Sequence, residues 1–216
     1  MKIRNLVVIA TLALVSACAT KPYDYTNLIQ HKPKSILVLP PLNKSTDVAA
    51  TYGYLSTVSR PIGELGYYVF PVEIVDQFMK EQGLPTAGEM HQVSLKKFAQ
   101  IINPDAVMYI TVNNYGTKFH LIDSVTVVDV EAKLIHTRTG SLLWEGRGRA
   151  QQNANAGQSN GLLGALITSA VAQAVNTSVD AAHDLSAQLN TGFYSAPGRG
   201  LLPGPYHPKY GQKAGE

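Results

Sequence analysis

Cysteine is nearly absent from the chain, since Cys18 is the only one among 216 residues. A disulfide within the chain is therefore excluded, because it would need two thiols. With 45% of its residues hydrophobic, the chain is long enough to bury one well-packed core. We therefore predict a single domain that is stabilised by its apolar interior and not by covalent cross-links.

Charge is also absent over a long stretch, because residues 150–179 contain no Asp, Glu, Lys or Arg. The second half of this stretch is rich in alanine and valine and predicts a helix that continues through Asp180 to Leu189. Gln173 and Asn176 leave its uncharged core too short to cross a bilayer. Small residues on one face would allow close packing against the domain or against a second subunit. The candidate interface consists of Gly161, Ala165 and Ser169.

The common catalytic and metal-binding motifs are missing. The six histidines are scattered, and neither an H-E-x-x-H pair nor a G-x-S-x-G nucleophile turn occurs. Asp129 and Glu131 could be read as a carboxylate pair for acid–base chemistry. Basic residues on the neighbouring strand explain them better as a solvated, salt-bridged face. We therefore predict a protein that is not an enzyme and that holds no metal or cofactor.

The first 17 residues have the composition of a targeting segment. Two basic residues precede an apolar stretch, Leu6 to Leu14, that is too short for a spanning helix, and small residues stand directly before Cys18. This arrangement resembles the signal of bacterial lipoproteins, which implies a diacylglyceryl thioether on Cys18 and an acylated amino group. By the same resemblance, Ala19 in place of an aspartate implies the outer membrane. A secretory signal that happens to contain a cysteine is the alternative.

The net charge of +3 belongs largely to this segment. Removal of residues 1–17 takes away Lys2 and Arg4 and no acidic residue, which leaves 16 basic residues against 15 acidic ones. A formal charge of +1 gives no support for binding to nucleic acid. We therefore predict that nucleic acid is not a partner, whereas outer-membrane lipid is one through Cys18.

Composition divides the rest of the chain into three parts. Residues 18–34 contain prolines and no hydrophobic period, and they predict a lipid-anchored tether that reaches at most about 55 Å. Residues 35–191 are predicted to form the folded domain, which opens with the apolar run 36–39, typical of a strand buried on both faces. The tail, residues 192–216, is dense in glycine and proline and is predicted to be extended or disordered.

Strands and helices alternate up to residue 112, which indicates a mostly parallel sheet with helices packed on it. The fold class is therefore α/β, with a mixed sheet that ends in a long β-hairpin and a C-terminal helix. The elements predicted before the hairpin are a helix over 48–65, a strand over 67–70, a helix over 71–82, a loop over 83–88, a helix over 95–102 and a strand over 106–112. Gly53 and Pro61 weaken the prediction of the first helix and could split it. Phe98 and Ile101 are predicted to point inward from the helix over 95–102.

Residues 117–137 and 141–152 predict a β-hairpin whose register can be derived. A three-residue loop, residues 138–140, sets Leu134 opposite Trp144, whereas a two-residue loop would set Leu134 opposite Glu145. The longer loop is favoured because it aligns three pairs of opposite charge and places Gly140 where a left-handed residue is required. The pairs are Lys133 with Glu145, Glu131 with Arg147, and Asp129 with Arg149.

Three stretches carry a resemblance to a known family: SILVLPPLNKSTDVAATYGYL, GYYVFPVEIVDQFMKEQGLP and PDAVMYITVNNYG. They are similar to a family of outer-membrane lipoproteins of unknown function, known from Neisseria antigens, whose fold is similar to the amino-terminal domain of TolB. Its genes are commonly neighbours of a gene for a CsgG-like lipoprotein. The resemblance implies an envelope assembly or secretion system, with the CsgG-like lipoprotein or other envelope proteins as partners. Only Cys18 is carried over as a functional residue.

We therefore predict a lipid-anchored, non-catalytic accessory or interaction subunit that faces the periplasm. Exposure on the cell surface and assembly into a homo-oligomer are left open. Two other functions are alternatives. A periplasmic hydrolase acting on cell-wall material would need polar side chains that converge in a cleft. A carrier or sensor would need a closed apolar cavity of several hundred Å³.

Overall fold

The computed structural model of the chain describes residues 22–119, 124–153 and 180–212. The strands in these residues are β1 (Ser35–Val38), β2 (Leu42–Asn43), β3 (Tyr68–Val69), β4 (Ala106–Asn114), β5 (Thr117–Phe119), β6 (Ser124–His136) and β7 (Leu142–Asn153). They form one sheet in which β1 runs parallel to β3 and β4, β2 pairs parallel with β4, and β4 runs antiparallel to β6. The mixed sheet predicted from the sequence is confirmed.

The two edges of β6 have different partners. Val125 and Thr126 pair with β5 and with β7 at once, so these two strands lie on opposite edges of β6. β5 therefore continues the line of β4, and β7 is the outermost strand on the other side. The long hairpin closes the sheet beyond the parallel strands, as the sequence predicts. The single strand predicted over 117–137 is wrong in its first part, since residues 117–119 form β5, which pairs antiparallel with β6.

Helices cover both faces of this sheet. Those in the described residues are α1 (Thr26–His31), α2 (Ala50–Leu55), α3 (Ser59–Glu64), α4 (Val72–Glu81), α5 (Ala87–His91), α6 (Leu95–Ile101) and α7 (Ala181–Ser195). Buried side chains of α1, α2, α3 and α7 share one apolar cluster, and those of α4, α5 and α6 share the other. None of the helices described here is long and apolar enough to cross a membrane.

β1 shows why the sheet needs helices on both sides. Ile36 and Val38 belong to the first cluster, whereas Leu37 and Leu39 belong to the second. All four side chains are fully buried, because successive residues of a strand point to opposite faces. The continuous apolar run therefore has the double burial that its composition predicts.

β6 and β7 pair in the predicted register up to Leu134, but the three-residue loop predicted over 138–140 is wrong. The His136 N–H donates to the Ser141 carbonyl, which leaves four residues, 137–140, in the turn. A bulge follows, since Ile135 pairs with Leu142 and the register shifts between Leu134 and Ile135. Gly140 has a φ of 72°, in the left-handed region. The predicted pairs that the structure contains are Leu134 with Trp144, Lys133 with Glu145, Glu131 with Arg147, and Asp129 with Arg149.

The prediction of a solvated carboxylate face is wrong for Asp129, whose side chain is only 1% exposed. Two guanidinium groups converge on it, from Arg147 and from Arg149. A buried carboxylate needs such partners, because leaving water without them is costly. Glu131 does lie at the surface, about half exposed.

The helix predicted over 48–65 is divided at residues 56–58, and not at Gly53 or Pro61. At the break, Ser56 Oγ donates to the Gly53 carbonyl and Thr57 Oγ1 donates to the Tyr54 carbonyl. Hydroxyl side chains that bond the backbone in this way compete with helix continuation. Pro61 fits within the first turn of α3, where its missing N–H is not needed.

Three further local predictions are wrong. Ile101 does not point inward, since its side chain is 51% exposed. The loop predicted over 83–88 ends early, because Thr86 and Glu89 form a reciprocal capping box that starts α5. The last helix does not run through Asp180, whose carboxylate accepts from the His183 N–H and caps α7.

The described parts of the predicted tether, residues 22–34, and of the predicted disordered tail, residues 192–212, are folded onto the domain. Residues 26–31 form α1, and Leu28 on this helix is buried in the first cluster. At the other end, α7 extends to Ser195 and Leu201 is buried in the same cluster. The domain boundaries at residues 35 and 191 are therefore wrong, because apolar side chains of both terminal segments contribute to the core.

Candidate interaction surface

Both ends of the described chain meet on one side of the domain. We call this surface the terminal layer and define it as residues 22–34 and 196–212. Tyr25 Oη donates to the Gly200 carbonyl at 2.7 Å, and Tyr23 Oη accepts from the Glu145 N–H at 2.7 Å. The rings of Tyr23 and Tyr25 lie 4.7 Å apart, centroid to centroid. The N-terminal segment is therefore held by both β7 and the C-terminal segment.

The C-terminal half of the layer is fixed by hydrogen bonds to the core. Trp144 Nε1 donates to the Arg199 carbonyl at 2.8 Å, and Tyr67 Oη donates to the Leu202 carbonyl at 2.8 Å. Gly204 lies against Gly66, where an added Cβ would come within 2.5 Å of the Gly66 carbonyl oxygen. Glycine is required at this close approach, and its presence explains why a segment rich in glycine and proline is ordered.

A groove of about 390 Å³ runs between the two halves of the terminal layer. Its walls are mainly apolar or aromatic, and Lys32 is the charged residue among them. Ile29, on the rim, is 56% exposed, and Tyr206 in the same layer is 68% exposed. The lining residues include Tyr25, Leu28, Ile29, Tyr67, Leu202 and Tyr210.

The hydroxyls of Tyr25 and Tyr67 in this groove act as neutral hydrogen-bond donors. Burial raises the pKa of Tyr25 to about 12, and burial also raises the pKa of Tyr67. Both hydroxyls donate to backbone carbonyls of the C-terminal segment. They hold the layer together, and the groove is suited to binding an apolar group.

The terminal layer is more basic than the rest of the folded chain. Lys32, Lys34, Arg199 and Lys209 are its basic residues, and Asp24 is its acidic one. Residues 35–195, by contrast, contain thirteen acidic residues and ten basic ones. Lys32, Lys34 and Lys209 have exposed side chains. Positive charge is therefore concentrated beside the apolar groove.

A second groove lies on the opposite face of the sheet, between α4 and α6. It has a volume of about 310 Å³ and its walls are entirely apolar. Ile74 and Ile101 are 64% and 51% exposed, so two large apolar side chains face solvent at its rim. The lining residues are Phe70, Pro71, Ile74, Val75, Phe78, Ile101 and Ile102.

The strongest concentration of charge within the sheet lies on β6 and β7. Arg147 Nη2 and Arg149 Nη1 lie 3.0 Å and 3.3 Å from Asp129 Oδ2. Hydrogen bonding to Asp129, together with its charge, raises the pKa of Arg147 further. Across the residues that the structure describes, no three His, Cys, Asp or Glu side chains come together in a way that could hold a metal ion.

The predicted site residues lie outside the described part of the chain. These residues are Cys18, the lipidation site, and Gly161, Ala165 and Ser169, the candidate interface. The flanks of the second group are described: β7 ends at Asn153 and α7 is capped by Asp180. Asn27, on α1, donates to the Leu142 carbonyl at the start of β7. The end of β7 at Asn153 therefore lies at the far end of this strand from α1.

Sequence reasoning missed the terminal layer. Its usable signal was a set of apolar and aromatic residues near both ends of the chain, at Tyr23, Tyr25, Leu28 and Leu201. This set follows neither a strand nor a helix period, and the prolines and glycines around it favour disorder in a reading by composition.

Comparison with known proteins adds an independent observation. The family named "Putative lipoprotein GNA1162-like" matches residues 23–206. "Putative lipoprotein NMB1124/NMB1162" of Neisseria meningitidis serogroup B is 42% identical over 201 residues, which cover 91% of this chain and 93% of the relative. The crystal structure of lipoprotein GNA1162 from Neisseria meningitidis superposes with a TM-score of 0.55 at 44% identity, over 57% of this chain and 86% of that one.

Proposed function

Because the chain belongs to the GNA1162-like family of lipoproteins, we propose that it is anchored by lipid at Cys18 to the outer membrane and faces the periplasm. There it serves as a non-catalytic accessory subunit of an envelope assembly or secretion system. A CsgG-like lipoprotein or another envelope protein is its partner. The family has no established activity, so the surfaces of the domain are the basis for this proposed function.

The groove between α4 and α6 is the observation that carries the proposal. Its walls contain no polar side chain, so it offers no acid, base or nucleophile. Ile74 and Ile101 at its rim are more than half exposed, and apolar surface of this kind is typical of sites that bind another protein. An apolar segment of a partner would cover both isoleucines and gain the free energy of their burial.

The anchor is tested with the variant Cys18→Ala. We expect the precursor to stay unlipidated and the protein to leave the membrane fraction, because none of the described helices can span a bilayer. Fractionation followed by a carbonate wash measures how much of the protein stays with the membrane. Retention of the variant in the washed outer membrane would contradict the proposed anchor.

The interaction is tested by affinity purification from detergent-solubilised outer membranes. We expect an envelope protein to be retained by the wild-type chain and lost from the double variant Ile74→Asp, Ile101→Asp. The matched control is Glu73→Ala with Lys97→Ala, which changes exposed residues of the same two helices outside the groove. Equal recovery of the same partner by all three proteins would rule out this groove as the binding site.

The small-residue face at Gly161, Ala165 and Ser169 stays a second predicted interface. The variant Ala165→Asp places a charge on it, which is costly if the face is covered. Loss of thermal stability at unchanged mass would indicate packing within the domain, and loss of mass in light scattering would indicate a subunit interface. If neither quantity changes, the face is exposed and is not an interface.

A carrier of an apolar ligand is the second candidate function, and the groove of the terminal layer favours it. Its volume of about 390 Å³ falls within the range of small-molecule sites. Titration of the soluble Cys18→Ala protein with a fluorescent fatty acid tests this function. Saturable binding that is abolished by Ile29→Asp, a change at the exposed rim of the groove, would support a carrier, and an absence of saturation would exclude it.

A further inference from the structure

The length of chain between the anchor and the fold limits where the domain can lie. The sequence alone predicts a tether of 17 residues, but Tyr23 is already fixed to β7 through the Glu145 N–H. Four residues lie between Cys18 and Tyr23, and the chain that joins these two Cα atoms spans at most about 18 Å even when fully extended. A folded domain of this size is about 40 Å across. The surface around Tyr23 is therefore the part of the domain nearest to an anchor at Cys18.

This surface is the terminal layer. The ring of Tyr23 packs against that of Tyr25 at an interplanar angle of 48°, and Tyr25 lines the same groove as Ile29 and Tyr210. Ile29 and Tyr210 are exposed, although both are large and apolar or amphipathic. Tyrosines are enriched where a protein meets the boundary between headgroups and acyl chains, because one end of the side chain is apolar and the other polar.

The distribution of charge favours the same orientation. The exposed side chains of Lys32 and Lys209 lie in the terminal layer, whereas the remainder of the domain carries more acidic than basic residues. Basic residues near a membrane surface are attracted to anionic lipid headgroups, and acidic ones are repelled. The domain is therefore polarised, with its basic end nearest to the anchor.

From these observations we infer that the terminal layer is a membrane-contact surface: it binds the leaflet that holds the anchor, with Ile29 and Tyr210 at the headgroup level and Lys32 and Lys209 against anionic headgroups. This inference rests on the proposed lipid anchor at Cys18. It goes beyond that anchor because it assigns a second, non-covalent contact and fixes which side of the domain faces away from the membrane. The groove between α4 and α6, on the opposite face of the sheet, then stays free for a protein partner.

The test uses the full chain, lipidated in a bacterial host and reconstituted into vesicles of phosphatidylethanolamine and phosphatidylglycerol. Cys18 is blocked by its thioether, so a single introduced cysteine can be labelled with an environment-sensitive fluorophore. Tyr210→Cys reports on the terminal layer, and Ile101→Cys is the matched control on the other face. We expect a phospholipid that carries a nitroxide near its headgroup to quench the label at position 210 several-fold more strongly than the label at position 101.

The contribution of the basic residues to membrane contact is tested with the same label at position 210. Lys32→Glu with Lys209→Glu should reduce quenching at position 210, whereas Lys96→Glu with Lys97→Glu, an equal change of charge on α6, should not. Equal quenching at positions 210 and 101 in vesicle-bound protein would overturn the inference while leaving the anchor intact. Protection of position 210 from aqueous iodide without quenching by lipid would mean that a protein covers the layer, and would also overturn it. Chain that fails to float with the vesicles would contradict the anchor and the inference together.

Discussion

Arg147 binds the carboxylate of Asp129, which lies diagonally across the β6–β7 pair, in preference to Glu131, which lies directly opposite. Arg147 Nε and Nη2 donate to the two oxygens of Asp129 at 3.2 Å and 3.0 Å, whereas Arg147 Nη1 and Glu131 Oε1 are 3.6 Å apart. Burial explains the preference. Glu131 can be solvated by water, but Asp129 is buried and depends on the guanidinium groups for its hydrogen bonds.

The unequal burial of these two carboxylates gives the first prediction. Asp129→Asn should lower the free energy of unfolding by about 1–3 kcal/mol, because it removes charge-assisted hydrogen bonds at a buried position. Glu131→Gln is the matched control and should change it by less than about 1 kcal/mol, as for a surface ion pair. Denaturation in urea measures both. Similar losses of unfolding free energy in the two variants would show that the buried Asp129–Arg147 pair contributes no more to stability than the surface Glu131–Arg147 pair.

The second prediction concerns the folded tail. Leu201→Ala should lower the free energy of unfolding by about 2–5 kcal/mol, because Leu201 is buried in the first apolar cluster. Leu142→Ala is the control, since that leucine is exposed, and it should cost less than about 1 kcal/mol. Thermal and chemical denaturation would compare the two variants. A neutral Leu201→Ala would mean that the C-terminal segment does not contribute to the core.

A buried polar chain between α2 and α7 gives the third prediction. Tyr54 Oη donates to Asn190 Oδ1, and Asn190 Nδ2 donates to Thr57 Oγ1 at 2.8 Å. Tyr54→Phe should cost about 1–3 kcal/mol of stability, because it removes the donor to a buried amide oxygen. Tyr52→Phe removes the hydroxyl of an exposed tyrosine and should be nearly neutral. Equal stabilities of the two variants would show that the hydrogen bond from Tyr54 to Asn190 does not contribute to stability.

The fourth prediction is a pH dependence that His91 contributes. Burial lowers the pKa of His91, against the opposing effect of its hydrogen bond to the Pro40 carbonyl. In the unfolded chain a histidine titrates near 6.5, so between the two pKa values the unfolded state binds more protons. The contribution of His91 to stability is therefore complete above about pH 6.5 and declines as the pH falls below it.

The measurement is the free energy of unfolding of the wild-type chain and of His91→Gln between pH 7.5 and pH 5, two values that bracket the histidine pKa. Glutamine keeps a hydrogen-bond donor near Pro40 but does not titrate. We expect the decline on acidification to be smaller in the variant. An identical slope in both proteins would show that His91 is not responsible.

The sequence predicted those parts of the fold whose side chains follow a period. Ile36 to Leu39 are apolar without interruption, and the strand they form is buried on both faces. The hairpin register could be derived because one alignment of the two strands satisfies both Trp144 and the opposite charges. The length of the loop could not, because the bulge beside Ile135 compensates for one extra residue in the turn. By contrast, the burial of Asp129 could not be derived. Alternation along a strand predicts the face of the sheet on which a residue lies. It does not predict which neighbouring side chains are long enough, and close enough, to cover that residue.

The lipidation site rests on a linear motif, the residues that precede Cys18 within one short segment. It stays a prediction, because Cys18 lies outside the described residues. The terminal layer has no such motif, because it joins Tyr25 to Gly200 and Tyr67 to Leu202, residues that are more than a hundred positions apart. Its existence depends on how the two ends meet, which local propensity does not determine.

The joining of Tyr25 to Gly200 also fixes the order in which this protein can complete its fold. A chain still lacking residues 196–212 has no acceptor for the Trp144 indole N–H and no partner for the hydroxyls of Tyr25 and Tyr67. Contacts between such distant positions form late, because a long loop must close before they are made. The hydrogen bonds that close the core at Trp144, Tyr25 and Tyr67 therefore form only after residues 199–202 are available.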